Sequence, residues 1–349
     1  MRRLPNRQRL EHPHPVKRVL AIIAAVGMVL AALVVRGTFS ADGEGGGGPD
    51  VPSDLTIACP PEVFDACQAA FGDRAVSQQA GTTLDQVEAG TVEVDAWLVS
   101  RSWAEVAQAD VPTEIDSVTA TGARSPIVIA IWKDRREALA SDGCERPLGL
   151  GCLGDVAGTP FPDLGFPLAF EDVAVGYPSL TNMTGFDVVA AGASSYFARD
   201  DFASNDFDGA FQTWVRAFQG DVTGTASPFD SMLTIGPPKL TATVGLEADL
   251  RPVHERAARR DEVDLIATKS SAELVVVDFT GGPDASGVAT DGDLLDALSV
   301  AGWRVPGRDA APALPPTGDT VTITSEDGDG MAVKPGVLAA LRSLAERER

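Results

Sequence analysis

The sequence predicts an α/β protein in two lobes, preceded by one membrane-spanning helix, and three observations carry that expectation. Short β-branched runs alternate with helix-length segments from Leu55 to residue 345, the rhythm of strands joined by crossover helices in a parallel sheet. The 349 residues are enough for a sizeable core in two lobes. The first 35 residues pair a basic start with an apolar run, the pattern of a signal anchor.

Charge separates the two ends. Residues 1–18 carry six basic side chains against Glu11, and with Arg36 added the rest of the chain, from Gly37 onward, holds −28 of a net −22. Val19 to Val35 contains no charge over 17 residues, roughly 25 Å of helix and close to a bilayer core. The basic side stays in the cytoplasm, which leaves the acidic bulk outside. No A-x-A cleavage site and no lipoprotein cysteine follows the run, so an uncleaved single-pass anchor in the cell membrane is expected over a removed signal peptide. A surface this acidic excludes nucleic acid as a partner, since phosphates need neutralising side chains. Residues 36–53 include Gly43-Glu-Gly-Gly-Gly-Gly48 and end in prolines, a flexible linker.

The four cysteines come as Cys59 and Cys67, then Cys144 and Cys152. Four cysteines allow three pairings, of which the two local ones are the most economical. Metal binding is disfavoured, because CxxC spacing is absent and His254 is the only histidine past the anchor.

The folded region opens with a strand at Leu55–Ala58 and a helix from Pro60 to Phe71. A strand near Ala75–Ser77 leads to a helix in Gly81–Gly90 that Thr82 or Thr83 could cap. Val94–Ser100 is a third strand, followed by helical Arg101–Val106, and Ser125–Trp132 reads as a strand buried on both faces. A Pro/Gly-rich stretch precedes Val175–Ala193, where an apolar strand end, a turn rich in hydroxyls and a helical repeat of Phe186, Val189, Ala190 and Ala193 follow one another. Such a turn offers free backbone N–H groups, and the helix dipole favours an anion there. Read locally, the same residues are an N-cap, with Thr181 or Thr184 satisfying the first turn. Helices are expected at Phe211–Phe218, at Glu247–Arg260 with a break at Pro252, at Asp291–Gly302 and at Pro335–Ala345, a loop and strand within 233–244, and a strand at Glu273–Phe279. Right-handed crossovers gather the loops that follow the strands along one edge.

Several segments together resemble a family. Val94-Asp-Ala-Trp-Leu-Val-Ser-Arg-Ser-Trp103, Ser125-Pro-Ile-Val-Ile-Ala130, Gly176–Ala193, Ala301-Gly-Trp-Arg304 and Gly336–Leu341 are similar to segments of bacterial extracellular solute-binding proteins with the type II periplasmic-binding fold. The molybdate-binding-like branch, whose members accompany von Willebrand factor A domains, is the nearest likeness. The resemblance implies lobe 1 in residues 54–135 and 240–345, lobe 2 in 136–239, and crossings near 130–135 and 236–244. It implies capture of a small polar or anionic ligand between the lobes, delivery to an ABC permease, and no catalysis. A non-transport envelope protein with a degenerate cleft and protein partners is the alternative. The candidate ligand contacts are Thr82, Thr83, Ser100, Arg101, Ser102, Trp103, Ser125, Ser179, Thr181, Asn182 and Thr184. Cys59-Pro-Pro stands where molybdate binders carry a serine. The sequence has no G-x-S-x-G and no H-E-x-x-H, so neither an enzyme nor a cofactor is expected.

Overall fold

Two long strands organise the molecule. In the computed structural model, which describes residues 51–144, 148–167, 170–199, 201–220, 227–308, 312, 314 and 333–347, β4 (Ile115–Trp132) runs antiparallel to β7 (Val263–Phe279) over nearly its whole length. The expected membrane anchor at 19–35 and the linker lie outside the described residues. Among the described residues no helix is long and apolar enough to cross a membrane.

The remaining strands add to opposite ends of this pair. β1 (Ile57–Cys59) lies between β2 (Ala75–Ser77) and β3 (Ala96–Ser100), all parallel, and β3 pairs with β7 from Leu274 to Asp278. At the other end, β6 (Ala242–Leu246) pairs with Ile127–Ile131 of β4, and β5 (Val175–Gly176) runs parallel beside β6. The seven-stranded order is β2-β1-β3-β7-β4-β6-β5. Between the two ends the β4–β7 register shifts twice, at Ala120/Arg124 and Pro126/Val128, and a bulge of this kind adds twist and bends the strand.

Two expectations are corrected here. The sheet is mixed rather than parallel, because β7 enters against both β3 and β4. The strand that accompanies β4 between the two ends is β7, whereas 236–244 holds a turn and the start of short β6. The first half of β4 is not among the expected strands, because Ile115–Gly122 has large apolar side chains only at Ile115 and Val118 and is largely half-exposed.

Helices follow most strands. These are α1 (Phe64–Phe71), α2 (Ala80–Glu88), α3 (Arg101–Asp110), α4 (Lys133–Ala138), α5 (Leu150–Val156) and α6 (Met183–Phe197). After them come α7 (Gly209–Gln219), α8 (Pro228–Ile235), α9 (Glu247–Arg256), α10 (Gly292–Val300) and α11 (Pro335–Arg347). α9 continues through Pro252 without the expected break. α6 is the central helix, buried from Met183 to Ser195, as its apolar residues on every side require. Disulfides join Cys59 to Cys67 and Cys144 to Cys152, the two local pairs, and the first ties the end of β1 to α1.

Candidate functional site

The start of α6 is where the two ends of the sheet meet. Its N-cap is Asn182, whose side chain accepts from the Thr184 amide at 3.0 Å. This corrects the expectation of a threonine cap. The turn before it is drawn tightly onto the helix. A Cβ at Gly185 would lie 2.1 Å from the Ser179 carbonyl oxygen and 2.4 Å from that of Pro178, so only glycine fits.

Three strand-to-helix connections of the β1–β3 end bond directly to this turn and helix. After β1, the Glu62 carboxylate accepts from the Thr184 amide at 3.0 Å. After β2, the Gly81 amide donates to the Thr181 carbonyl at 2.9 Å, and a Cβ at Gly81 would come within 3.1 Å of the Thr181 Cα. After β3, Ser100 donates to Oδ1 of Asp187 at 2.9 Å, and Ser102 donates to the same oxygen. Most of the polar groups at this meeting point are engaged with one another.

The placement of each candidate follows from this seam. Ser100 and Ser102 are buried donors to Asp187. Thr83 is buried and bonds back to the Gln79 carbonyl, while Thr82 is exposed beside it. Both lie within the first turn of α2, whose N-cap is Gln79. Arg101 donates to Glu273 at 2.8 Å, a carboxylate it shares with Arg124. Trp103 is 1% exposed, packed edge-on to Trp97 and against Phe186, with Arg342 over its ring. Ser125 is buried and accepts from the Ala248 amide at 3.1 Å, which satisfies the start of α9. Ser179 and Thr181 bond each other at 3.2 Å near the surface. Of the eleven candidates, only Asn182 and Thr184 line the adjoining cavity.

That cavity has a volume of about 270 Å³. Glu62, Asn182, Thr184, Asp249, Ser227 and Thr243 supply its polar lining. Pro61, Pro178, Phe229, Val244, Leu250 and Val253 supply apolar walls. The residues come from the post-β1 loop, the start of α6, the start of α8, β6 and α9. Thr184 joins the two acids, its amide donating to Glu62 and its hydroxyl to Asp249 at 3.3 Å.

The electrostatics are those of crowded, desolvated carboxyl groups. Burial pushes the Asp249 carboxyl up to about 7 and the charge of Glu62 adds to the shift, opposed by the Thr184 hydroxyl. Burial also raises Asp187 to about 7, against the hydroxyls of Ser102 and Ser100 and with a further push from Glu62. Glu62 itself is raised by burial, with the Thr184 amide pulling the other way. The helix start expected to hold a ligand anion therefore already holds a carboxylate of the chain. Glu62 and Asp249 went unnoticed in the sequence. Both sit just after strands, where cleft residues belong, but among 50 acidic residues nothing in their spacing marks them.

No family model and no curated protein matches the chain. Solved structures do. Iron-bound HitA from Pseudomonas aeruginosa is 12% identical with a TM-score of 0.52, the match covering 85% of this chain and 99% of that one. A periplasmic thiamin binding protein is 11% identical, TM-score 0.52, over 86% and 98%. The periplasmic binding protein AfuA from Actinobacillus pleuropneumoniae, with fructose 6-phosphate bound, is 11% identical, TM-score 0.52, over 84% and 96%. At these identities the likeness is one of fold, and placement in a molybdate-binding-like branch is finer than it reaches. The chain has the mixed α/β fold of periplasmic substrate-binding proteins, matched over nearly the whole length of each.

Proposed function

We propose that this chain is an extracytoplasmic solute-binding protein, held at the cell membrane by its N-terminal helix, that captures a small polar ligand and passes it to an ABC permease. One observation carries the reading. In a fold shared with periplasmic binding proteins, a cavity opens where the post-β1 loop, the start of α6 and the start of α9 meet, the kind of interface at which ligands bind. The two lobes are then the β2-β1-β3 end and the β6-β5 end, with β4 and β7 as the connection that bends on closure. Cleft closure, with no chemistry, accounts for the function.

A second reading has its own support. The direct bonds from Gly81, Ser100 and Glu62 to the α6 turn suit an envelope protein whose cleft has become a fixed seam and whose partners are proteins. Thermal unfolding of the full chain across oxyanions, amino acids, sugars and amines separates the two. A ligand that binds only the folded state adds about 2.7 kcal/mol at a hundredfold excess over Kd. The solute-binding reading expects a raised midpoint with one class, lost in Asn182→Ala with Thr184→Val. A midpoint unmoved by every class favours the envelope reading.

A further inference from the structure

The proposed ligand site has a sign. Among the described residues, its ionisable lining is Glu62 and Asp249, and no lysine, arginine or histidine lines it. Glu62 is a half-buried residue whose Oε2 is sealed from solvent and has no hydrogen-bond partner. Its other oxygen takes the Thr184 amide. Asp249 receives the Thr184 hydroxyl on Oδ2, so one residue holds both carboxylates at the same wall. Asp187, a third carboxylate, stands close enough to Glu62 to feel its charge, and its Oδ2 is likewise buried and unpartnered. Buried carboxylates are ordinarily paired with a cation or supplied with donors. Here the donors run short.

We infer that the cavity takes an organic ammonium ion, its positive nitrogen between Glu62 and Asp249 and its hydrocarbon part against Phe229, Leu250 and Val253. The inference rests on the solute-binding reading and names the ligand class of that site, replacing the anion expected from the sequence. A cation supplies the partner that Glu62 Oε2 lacks, and an opposite charge within a few ångströms favours the ionised form of both carboxylates. The walls favour an organic cation over a metal ion. Half of the named lining is apolar, and among the described residues no group of three or more His, Cys, Asp or Glu side chains is placed to hold a metal. A volume of about 270 Å³ suits a ligand below drug size. Asn182, Ser227 and Thr243 remain to orient polar groups on its body.

The test compares ammonium compounds with neutral molecules of the same shape, by titration calorimetry on the full chain at pH 8. Choline, putrescine and phenethylamine are set against dimethylbutanol, butanediol and phenylethanol. At least one ammonium probe should bind, with its neutral counterpart at least ~10-fold weaker. Glu62→Gln and Asp249→Asn should each weaken it by at least ~10-fold, worth about 1.4 kcal/mol, whereas Asp261→Asn, at an exposed acid, should leave it unchanged. Binding should also weaken as the pH falls below about 7, where Asp249 takes up a proton. Equal binding of a neutral counterpart, or full affinity in both Glu62→Gln and Asp249→Asn, overturns the inference. So does failure of all three ammonium probes while a sugar or oxyanion binds, an outcome that leaves the solute-binding reading standing. Failure of every class overturns both.

Discussion

Asp187 and Asp249 flank the start of one helix, both pushed up to about 7 by burial and both pressed by Glu62. Their settings differ. Asp187 is locked into a seam by two serine hydroxyls from the neighbouring loop, with Trp103 and Phe186 in the same core. Asp249 has a single hydroxyl donor and faces an open cavity. One carboxyl joins two parts of the fold, and the other is available to a ligand. The same physical force, desolvation of a negative charge, is structural in one place and, in the proposed reading, serves a ligand in the other.

Substitutions in the seam should be the more damaging. Trp103→Ala removes a fully buried indole, and an aromatic-to-alanine change in a core costs about 3–5 kcal/mol. Denaturant unfolding should show that loss in the absence of any ligand, and a loss below about 1 kcal/mol would break the assignment of Trp103 to the core. Gly185→Ala forces a methyl group into the Ser179 carbonyl and should cost about 3 kcal/mol through overpacking. Gly209→Ala, with nothing nearby to meet, should shift stability by less than about 0.5 kcal/mol. Equal effects at the two glycines would mean that the turn is not held as described.

Another effect concerns pH. The folded state keeps a proton on Asp187 that the unfolded chain loses near 3.8 and the folded chain loses only near 7. Stability therefore falls as the pH rises across that window and levels off above it. Asp187→Asn should remove roughly 4 kcal/mol of this decline. The part that persists belongs to Glu62 and Asp249, whose shifts have the same sign. An unchanged slope in Asp187→Asn would place the titration elsewhere.

Much of the fold was legible in the sequence, for reasons that individual elements make plain. α6 was readable because a polar turn precedes a repeat of Phe186, Val189 and Ala193 at helical spacing. The start of β7 was not, since Thr268-Lys269-Ser270 interrupts its apolar run and register along a long strand is set by its partner. α8 was overlooked although Ser227 before Pro228 is a readable helix start. At the site, the loops and the meeting point were legible, but which side chains would bond each other was not. Asp187 is far in sequence from Ser100 and Ser102 and becomes their neighbour only when α6 packs on the β3–α3 junction. Glu62 and Asp249 gain significance from burial, a property of the tertiary structure.

The most direct test of the account sets Asp249→Asn beside Asp187→Asn, measuring the affinity for the tightest-binding ammonium probe and the unfolding midpoint at pH 8 on the same samples. The account predicts at least ~10-fold weaker binding for Asp249→Asn, with a midpoint raised at this pH because a buried charge is removed. For Asp187→Asn it predicts a shifted midpoint with an affinity within about twofold of the parent. Loss of affinity in Asp187→Asn with none in Asp249→Asn would contradict it.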